Sequence, residues 1–227
     1  MTNPHDFADR LAAGRQLATR ILTLDLADPI VLALPRGGVP VAFPVAKALG
    51  APLDLVLVRK IGAPGHPEFG IGAVVDGANP QVVLNEEIVA QLGVSPAYIA
   101  EQVRRELVEL ERRRARYLGD RAPLALTGRN VVLVDDGIAT GGTVKAALGG
   151  IALAHPSRLV LAVPVAPREA ISELRGKTDE IICLSTPEPF HAVGLHYADF
   201  AQTSDEEVIA LLDEARGWVG QEPRGPE

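Results

Sequence analysis

An apolar run that ends at two adjacent aspartates constrains this chain more than any other feature. Val131 to Val134 predict a fully buried strand, because a central strand covered on both faces is continuously apolar. The run stops at Asp135 and Asp136, and a Gly-, Ala- and Thr-rich loop leads into a helix from Val144. Glycines at such a turn let backbone N–H groups converge on an anion at the start of a helix. The pattern therefore predicts a phosphate-binding loop, and an ordinary polar turn is the alternative.

The two carboxylates narrow the class of ligand. They would repel a bare polyphosphate, but they can accept hydrogen bonds from vicinal sugar hydroxyls. The residues thus predict a phosphorylated sugar, with its hydroxyls on Asp135 and Asp136 and its phosphate on residues 139–143. No Gly-Lys-Ser/Thr follows at the spacing of a Walker loop, so a nucleotide-triphosphate P-loop is excluded.

The segment VVLVDDGIATGGT, residues 131–143, closely resembles the PRPP-binding signature of type I phosphoribosyltransferases. The resemblance implies binding of 5-phosphoribosyl-1-pyrophosphate (PRPP) together with Mg²⁺, which PRPP carries, so that no direct metal ligand is expected from the chain. It assigns the ribose 2′- and 3′-hydroxyls to Asp135 and Asp136, and the 5′-phosphate to the loop that follows. The substrate-binding residues implied after the aspartates are Gly137, Ala139, Thr140, Gly141, Gly142 and Thr143.

A second buried strand followed by a glycine turn occurs earlier in the chain. Residues 29–35 predict the strand and residues 41–49 a helix. Between them, Arg36 presents forked N–H donors suited to phosphate, next to Gly37 and Gly38. The turn resembles the pyrophosphate-binding loop of the same family, in which a backbone amide beside a glycine contacts pyrophosphate, often through a cis peptide bond. A plain turn with a surface arginine is the alternative.

A third strand is predicted over residues 52–58 and leads into Lys60. Residues 61–72 contain four glycines and two prolines, which predicts an irregular, mobile loop. In the resembled family a flexible loop at this place closes over PRPP, and Lys60 at its root would stabilise charge on the departing pyrophosphate. His66 and Glu68 are candidate acid–base groups on the loop, and solvated residues without chemistry are the alternative for each.

A hairpin over residues 72–84 and a helical insertion over about residues 85–125 are predicted next. The hairpin turns at an Asp-Gly pair, and Ser95-Pro96 offers an N-cap for a helix that runs to about Leu118. Four arginines of this helix lie among glutamates in an acidic protein, which favours a solvated or subunit-contact face over a nucleic-acid patch. These are Arg112, Arg113, Arg114 and Arg116.

Further strands are predicted over residues 158–166 and 180–185, again alternating with helices. This rhythm predicts an α/β fold with a right-handed, mostly parallel sheet and helices on both faces. Ligands bind such sheets at the carboxyl ends of the strands, where both glycine loops lie. We expect one domain of the type I phosphoribosyltransferase fold over residues 1–220, and a terminal tail over residues 221–227.

An irregular segment, residues 186–203, contains a large share of the few aromatic residues. Its second half resembles the hood of purine phosphoribosyltransferases, in which an aromatic ring stacks on the base, and we call residues 186–203 the hood. Phe190 and Tyr197 are the candidates for that contact, and packing of the hood onto the sheet is the alternative for both. His191 and His196 have no carboxylate or cysteine partner at metal-binding spacing, so a zinc site is rejected.

Composition limits the compartment and the partners. The net charge is −7, which argues against a general surface for nucleic acid or anionic membrane. The single cysteine, Cys183, lies in an apolar run and excludes a disulfide within the chain. The first residues contain no signal peptide pattern, and no apolar run approaches the length of a membrane span. We therefore expect a soluble cytoplasmic protein.

The function implied by the resemblance is transfer of the 5-phosphoribosyl group from PRPP to a nitrogen nucleophile, such as a nucleobase, with release of pyrophosphate. Such an enzyme is a pentosyltransferase of nucleotide metabolism, and Lys60, Glu68 and Asp136 are its expected catalytic residues. In the 6-oxopurine enzymes an aspartate acts as base where this chain has Ala139. That difference disfavours hypoxanthine and guanine and favours the adenine and pyrimidine branches.

Three segments together, LPRGGVPVA, KIGAPGHPE and DDGIATGGT, resemble a bacterial group of phosphoribosyltransferases without an assigned substrate. The alternative function is a non-catalytic PRPP- or nucleotide-sensing protein of the same fold. The presence of Lys60 and a complete loop favours the enzyme. Many family members are dimers, which makes a homodimer a candidate assembly.

Overall fold

A five-stranded parallel sheet forms the centre of the molecule. The computed structural model describes residues 6–218. The sheet strands are β1 (Pro29–Ala33), β2 (Leu53–Leu55), β6 (Asn130–Val134), β7 (Arg158–Val165) and β8 (Glu180–Ser185). They lie in the order β2-β1-β6-β7-β8, and every pairing is parallel. The predicted fold class is confirmed, whereas the predicted tail at residues 221–227 lies outside the described residues.

Helices cover both faces of this sheet. They are α1 (Arg10–Ile21), α2 (Gly38–Leu49), α3 (Glu86–Gln91), α4 (Pro96–Leu118), α5 (Gly142–Ala152), α6 (Arg168–Leu174) and α7 (Asp205–Arg216). Alternate side chains of a strand point to opposite faces, so Val132 and Val134 join the core under α1, α2, α4 and α7. Val131 and Leu133 join a second core under α5 and α6. The continuous apolar run of β6 follows from this two-sided burial.

A second, antiparallel sheet consists of β3 (Val58–Ala63), β4 (His66–Val75) and β5 (Gln81–Leu84). The predicted strand over residues 52–58 is therefore divided, because β2 ends at Leu55 and the chain enters the second sheet at Val58. The prediction of an irregular loop over residues 61–72 is wrong. Most of that segment belongs to β3 and β4, which turn at Pro64-Gly65.

The glycines of this hairpin allow close contact between its strands. A Cβ atom at Gly62 would lie 2.3 Å from the carbonyl oxygen of Pro67. The pairing also shifts register on either side of Gly62, as at a β-bulge. Glycine content that indicates a loop in the sequence thus reflects a tightly paired hairpin in the structure.

The helices α3 and α4 occupy the segment predicted as an insertion. Asn85 and Ser95 cap them, accepting hydrogen bonds from Ile88 N–H and Tyr98 N–H at 3.2 Å each. The sequence predicts a solvated or subunit-contact face for the arginines of α4, but one of them is an exception. The guanidinium of Arg114 turns inward, because it pairs with two buried carboxylates, those of Asp54 and Asp76.

The first helix begins at Arg10, because Asp9 caps it by accepting a hydrogen bond from the N–H of Ala12. Before the helix, Phe7 pairs with Tyr197 in an isolated parallel bridge. The N-terminal segment is therefore fastened to the hood. Within residues 6–218 no helix combines the length and the apolar character needed to cross a membrane.

Candidate active site

The two glycine loops lie side by side at the carboxyl end of the parallel sheet. β1 and β6 are neighbours, with Ala33 opposite Val134, and the N–H of Leu34 donates to the Val134 carbonyl at 3.0 Å. Both strands end at the same edge of the sheet, so the loops that follow them lie next to each other. The structure thereby brings residues 36–38 next to residues 135–136, as the two motifs predict.

Contact between these loops leaves no room for a side chain on the first one. A Cβ atom at Gly37 would lie 2.0 Å from Oδ2 of Asp136. One at Gly38 would lie 3.1 Å from Cα of Asp135. The Pro35–Arg36 peptide bond is cis, as the resemblance to a pyrophosphate-binding loop implies. Backbone amides at these glycines can therefore approach a ligand held by the aspartates.

The carboxyl groups of Asp135 and Asp136 have raised pKa values. Burial is the main cause at both positions, and the adjacent charge of Asp136 raises the pKa of Asp135 further, to well above its usual range. Oδ1 of Asp135 accepts a hydrogen bond from the N–H of Asp136 at 2.9 Å. Two half-buried carboxylates side by side form an acceptor pair suited to neighbouring hydroxyl groups.

Arg10 is a site residue that the sequence does not predict, because it belongs to none of the motifs. Its Nε donates to Oδ2 of Asp136 at 2.8 Å. The positive charge and the hydrogen bond both lower the pKa of Asp136, against the larger effect of burial. The only sequence signal is an arginine at the start of a helix, which does not indicate its distant partner.

The predicted phosphate loop connects β6 to α5. Its middle is fixed by a hydrogen bond from the N–H of Ile138 to the carbonyl of Val165 at 2.9 Å. Gly141 has φ +74°, a conformation that favours glycine, and caps the start of α5. Four of the predicted residues are exposed there, as an open anion site at a helix N-terminus requires. They are Ala139, Thr140, Gly142 and Thr143.

Comparison with known proteins identifies the family. The phosphoribosyl transferase domain model matches residues 6–199. This chain belongs to the phosphoribosyl transferase family. Two Mycobacterium tuberculosis proteins, Rv0571c of strain H37Rv and MT0597 of strain CDC 1551, are 49% identical to it over 210 residues. Both are named provisionally as phosphoribosyl transferases, and the match covers 92% of this chain but 47% of each relative, so the chain spans about half their length.

Solved structures show the same fold. The crystal structure of TT1426 from Thermus thermophilus has a TM-score of 0.82 and 45% identity to this chain. The similarity covers 94% of this chain and 99% of TT1426. A hypothetical protein from Neisseria gonorrhoeae, solved with bound ppGpp, has a TM-score of 0.50 at 15% identity. The similarity covers 91% of this chain and 93% of that protein, and it shows a shared fold alone.

The hood of this phosphoribosyl transferase family member packs against the site. Tyr197 is 2% exposed, and its hydroxyl donates to the carbonyl of Asp136 at 2.5 Å. Its ring contacts Phe7 and Phe200, with centroids 5.3 and 5.0 Å away. These contacts favour packing, the second of the two predicted alternatives, over base stacking for Tyr197. Phe190 is half-buried and stacks on His196 at 5.7 Å, so its contact with a base stays a prediction.

The hood also contacts the phosphate loop. Gly137 has φ +156°, and a Cβ atom there would lie 2.5 Å from Cγ1 of Val193. Glycine at this position lets the chain pass directly beneath the hood. The hood therefore contacts this loop at two consecutive positions, at the backbone carbonyl of Asp136 and at Gly137.

The remaining predicted residues lie around this centre without contacting it. Lys60 is exposed on β3, and Glu68 is exposed on β4 beyond the turn. Neither side chain has a hydrogen-bond or ion-pair partner among residues 6–218. Nη1 of Arg36 lies 3.7 Å from Oδ1 of Asp205, at the start of α7. The catalytic roles of these side chains stay predictions.

Proposed function

We propose that this chain transfers the 5-phosphoribosyl group of PRPP to a nitrogen nucleophile and releases pyrophosphate. Family membership supports a transferase of this general type. One observation of the structure supports the choice of PRPP. The loop proposed for pyrophosphate and the aspartates proposed for ribose touch at Gly37 and Asp136, so a single ligand can contact both. PRPP combines these two groups with a 5′-phosphate, for which the N-terminus of α5 provides donors.

Each part of the site has a role in this reaction. Asp135 and Asp136 accept hydrogen bonds from the ribose hydroxyls and place negative charge near a carbon that becomes cationic in the transition state. As the C1–O bond to pyrophosphate breaks and a C1–N bond forms, Arg36 and Lys60 stabilise the leaving pyrophosphate. Glu68 takes the proton that the nitrogen loses. The hairpin carrying Lys60 and Glu68 moves toward the site when PRPP is bound.

Mg²⁺ fits this set of residues as an ion carried by PRPP. Magnesium prefers oxygen ligands, keeps several waters, and binds proteins through one or two carboxylates together with substrate phosphates. Asp135 and Asp136 lie beside the pyrophosphate loop and are assigned to the ribose hydroxyls, so the ion would be held by oxygens of PRPP and by water rather than directly by the chain. When bound, the ion neutralises charge on pyrophosphate and so makes it a better leaving group.

The acceptor enters beside the hood. Ala139 is exposed in the phosphate loop and has no group that can remove a proton from a base. A 6-oxopurine that needs an aspartate at this position is therefore a poor substrate, and an adenine- or pyrimidine-like nitrogen base is the better candidate. Phe190 is the aromatic residue of the hood proposed to contact that base.

Calorimetric titration with PRPP and Mg²⁺ tests the binding site. The double variant Asp135→Asn/Asp136→Asn should bind at least about 3 kcal/mol more weakly than wild type, because each hydrogen bond to a charged group contributes about 1.5–3 kcal/mol. Asp25→Asn is a matched control, since Asp25 is exposed before β1, and asparagine tolerates its positive φ of 47°. A folded wild type that does not bind PRPP would refute the proposal.

Turnover separates the enzyme from the nucleotide-sensing alternative. Wild-type protein with PRPP, Mg²⁺ and a panel of nitrogen bases should release pyrophosphate with at least one base. Lys60→Ala should retain PRPP binding and lose turnover, because its proposed role is confined to the leaving group. Tight binding of PRPP or a nucleotide without pyrophosphate release would favour the sensor.

A further inference from the structure

The guanidinium of Arg10 connects three parts of the site. Its Nε donates to Oδ2 of Asp136 at 2.8 Å, and its Nη1 donates to the carbonyl of Ala201 at 2.7 Å. Its central carbon lies 3.8 Å from the ring centroid of Phe200, within range of a cation–π interaction. The side chains of Arg10 and Asp136 are only 12% and 17% exposed. A buried arginine with this set of contacts holds its partners in one arrangement.

The remaining oxygen of Asp136 can still receive a ligand. Arg10 uses Oδ2, the same atom that lies against Gly37. Among residues 6–218 no side chain donates a hydrogen bond to Oδ1, the other oxygen of this carboxylate. A carboxylate can accept several hydrogen bonds, so binding of Arg10 on one side leaves acceptor positions on the other. The ion pair therefore orients Asp136 without occupying all of its acceptor capacity.

We propose that Arg10 is a positioning residue, which holds the carboxylate of Asp136 in the orientation that receives a ribose hydroxyl and fastens it to the hood. This inference rests on the proposed binding of PRPP. Arg10 itself acts through Asp136 and does not touch the substrate. The hood side of the contact is closely packed, since a Cβ atom at Gly194 would lie 2.7 Å from the ring of Phe200.

Charge gives Arg10 a second effect on the same carboxylate. The titratable groups that face Asp136 are Asp135 from the same loop, Arg10 from α1 and Tyr197 from the hood. Burial raises the pKa of Asp136, and Arg10 opposes that rise. Without Arg10, two adjacent carboxyl groups would lack a compensating cation, and Asp136 would take up a proton at a higher pH.

A double-mutant cycle tests this role. PRPP and Mg²⁺ are titrated calorimetrically into wild type, Arg10→Met, Asp136→Asn and the double variant at neutral pH. Arg10→Met should weaken binding by about tenfold or more, the scale of one charge-assisted hydrogen bond. The double variant should bind no more weakly than Asp136→Asn, because Arg10 acts through Asp136. Wild-type affinity in Arg10→Met, or two effects that simply multiply, would overturn the inference.

The pH profile excludes a merely structural role. If Arg10 stabilised only the fold, affinity would fall equally at all pH values. We expect instead that the affinity of Arg10→Met for PRPP declines at a higher pH on acidification than that of wild type, and that this difference disappears when Asp136→Asn is present. Arg10→Lys, which keeps the charge but loses the forked donors, should retain the wild-type pH dependence with reduced affinity.

Two controls complete the experiment. Arg15→Met changes an exposed arginine on the same helix and should bind PRPP as wild type does. If Arg10→Met does not fold, Arg10→Lys replaces it in the cycle, and either wild-type affinity or an altered pH dependence in folded Arg10→Lys would contradict the inference. Absence of PRPP binding by wild type would refute the proposed function itself. Binding by wild type with no change in Arg10→Met would refute only the role of Arg10.

Discussion

Replacement of Arg114 by methionine should destabilise the fold strongly. Nη2 of Arg114 donates to both oxygens of Asp54 at 2.8 Å, and Nη1 donates to Oδ2 of Asp76 at 2.9 Å. The three side chains are 12%, 8% and 7% exposed. Removing one partner of a buried ion pair costs about 3–5 kcal/mol, because it leaves uncompensated charge in the interior. Two carboxylates lose their cation here, so we expect the upper part of that range.

Urea unfolding followed by circular dichroism measures this effect. The adjacent Arg113→Met is a matched control, since Arg113 pairs with Glu109 on the solvent side of α4. Exposed pairs of this kind contribute little, so Arg113→Met should unfold close to wild type. Equal midpoints for the two variants, or an Arg114→Met midpoint near that of wild type, would refute the argument from burial.

The pH dependence of this variant has a defined sign. Burial raises the pKa of Asp76 even though Arg114 lowers it, so loss of Arg114 should raise that pKa further. A carboxyl whose pKa is higher in the folded than in the unfolded state destabilises the fold increasingly as the pH rises above the unfolded value. The stability deficit of Arg114→Met should therefore grow as the pH rises from about 4, the pKa of an unfolded aspartate, toward neutrality. A deficit that shrinks over this interval would contradict the assignment.

Three substitutions and one chemical modification test other contacts. Gly37→Ala must displace the carboxylate of Asp136 and should lower the free energy of unfolding in urea by about 2–4 kcal/mol. Gly142→Ala is the control, since its Cβ meets no atom within 4 Å, and it should leave that free energy unchanged or raise it by up to about 1 kcal/mol. Tyr197→Phe loses the bond to the Asp136 carbonyl and should lower the unfolding free energy by about 0.5–1.5 kcal/mol; an unchanged thermal midpoint would argue against that bond. Burial raises the pKa of the Cys183 thiol to about 11, so alkylation near pH 8 should be roughly a hundredfold slower in the native than in the unfolded chain; equal rates would show that the thiol is not protected.

The elements with strong local signals are predictable from the sequence. The apolar pattern predicts the last strand over residues 180–185, which are the bounds of β8. The cap at Ser95 also forms as predicted, since capping depends on a side chain and a backbone N–H three residues away. The two glycine loops can be placed together because parallel strands bring their carboxyl ends to one edge of the sheet.

Tertiary contacts are not predictable in the same way. The pair Arg10 and Asp136 joins positions 126 residues apart. Arg114 has the same local pattern as its exposed neighbours, and only its position on the inward face of α4 distinguishes it. The glycines of β3 and β4 lead to the wrong prediction of a loop. The sequence does not show that the facing strand leaves no room for a side chain at Gly62.

The segment that lengthens the chain between the hairpin and β6 is not a detachable module. Leu110 and Leu118 of α4 are 2% and 4% exposed and belong to the same core as Leu17 of α1. The hydroxyl of Tyr98, near the other end of α4, donates to the carbonyl of Gly62 in the hairpin. Deleting this segment would expose part of the hydrophobic core and would also remove the hydrogen bond that supports the hairpin. The segment is therefore an integral part of the fold.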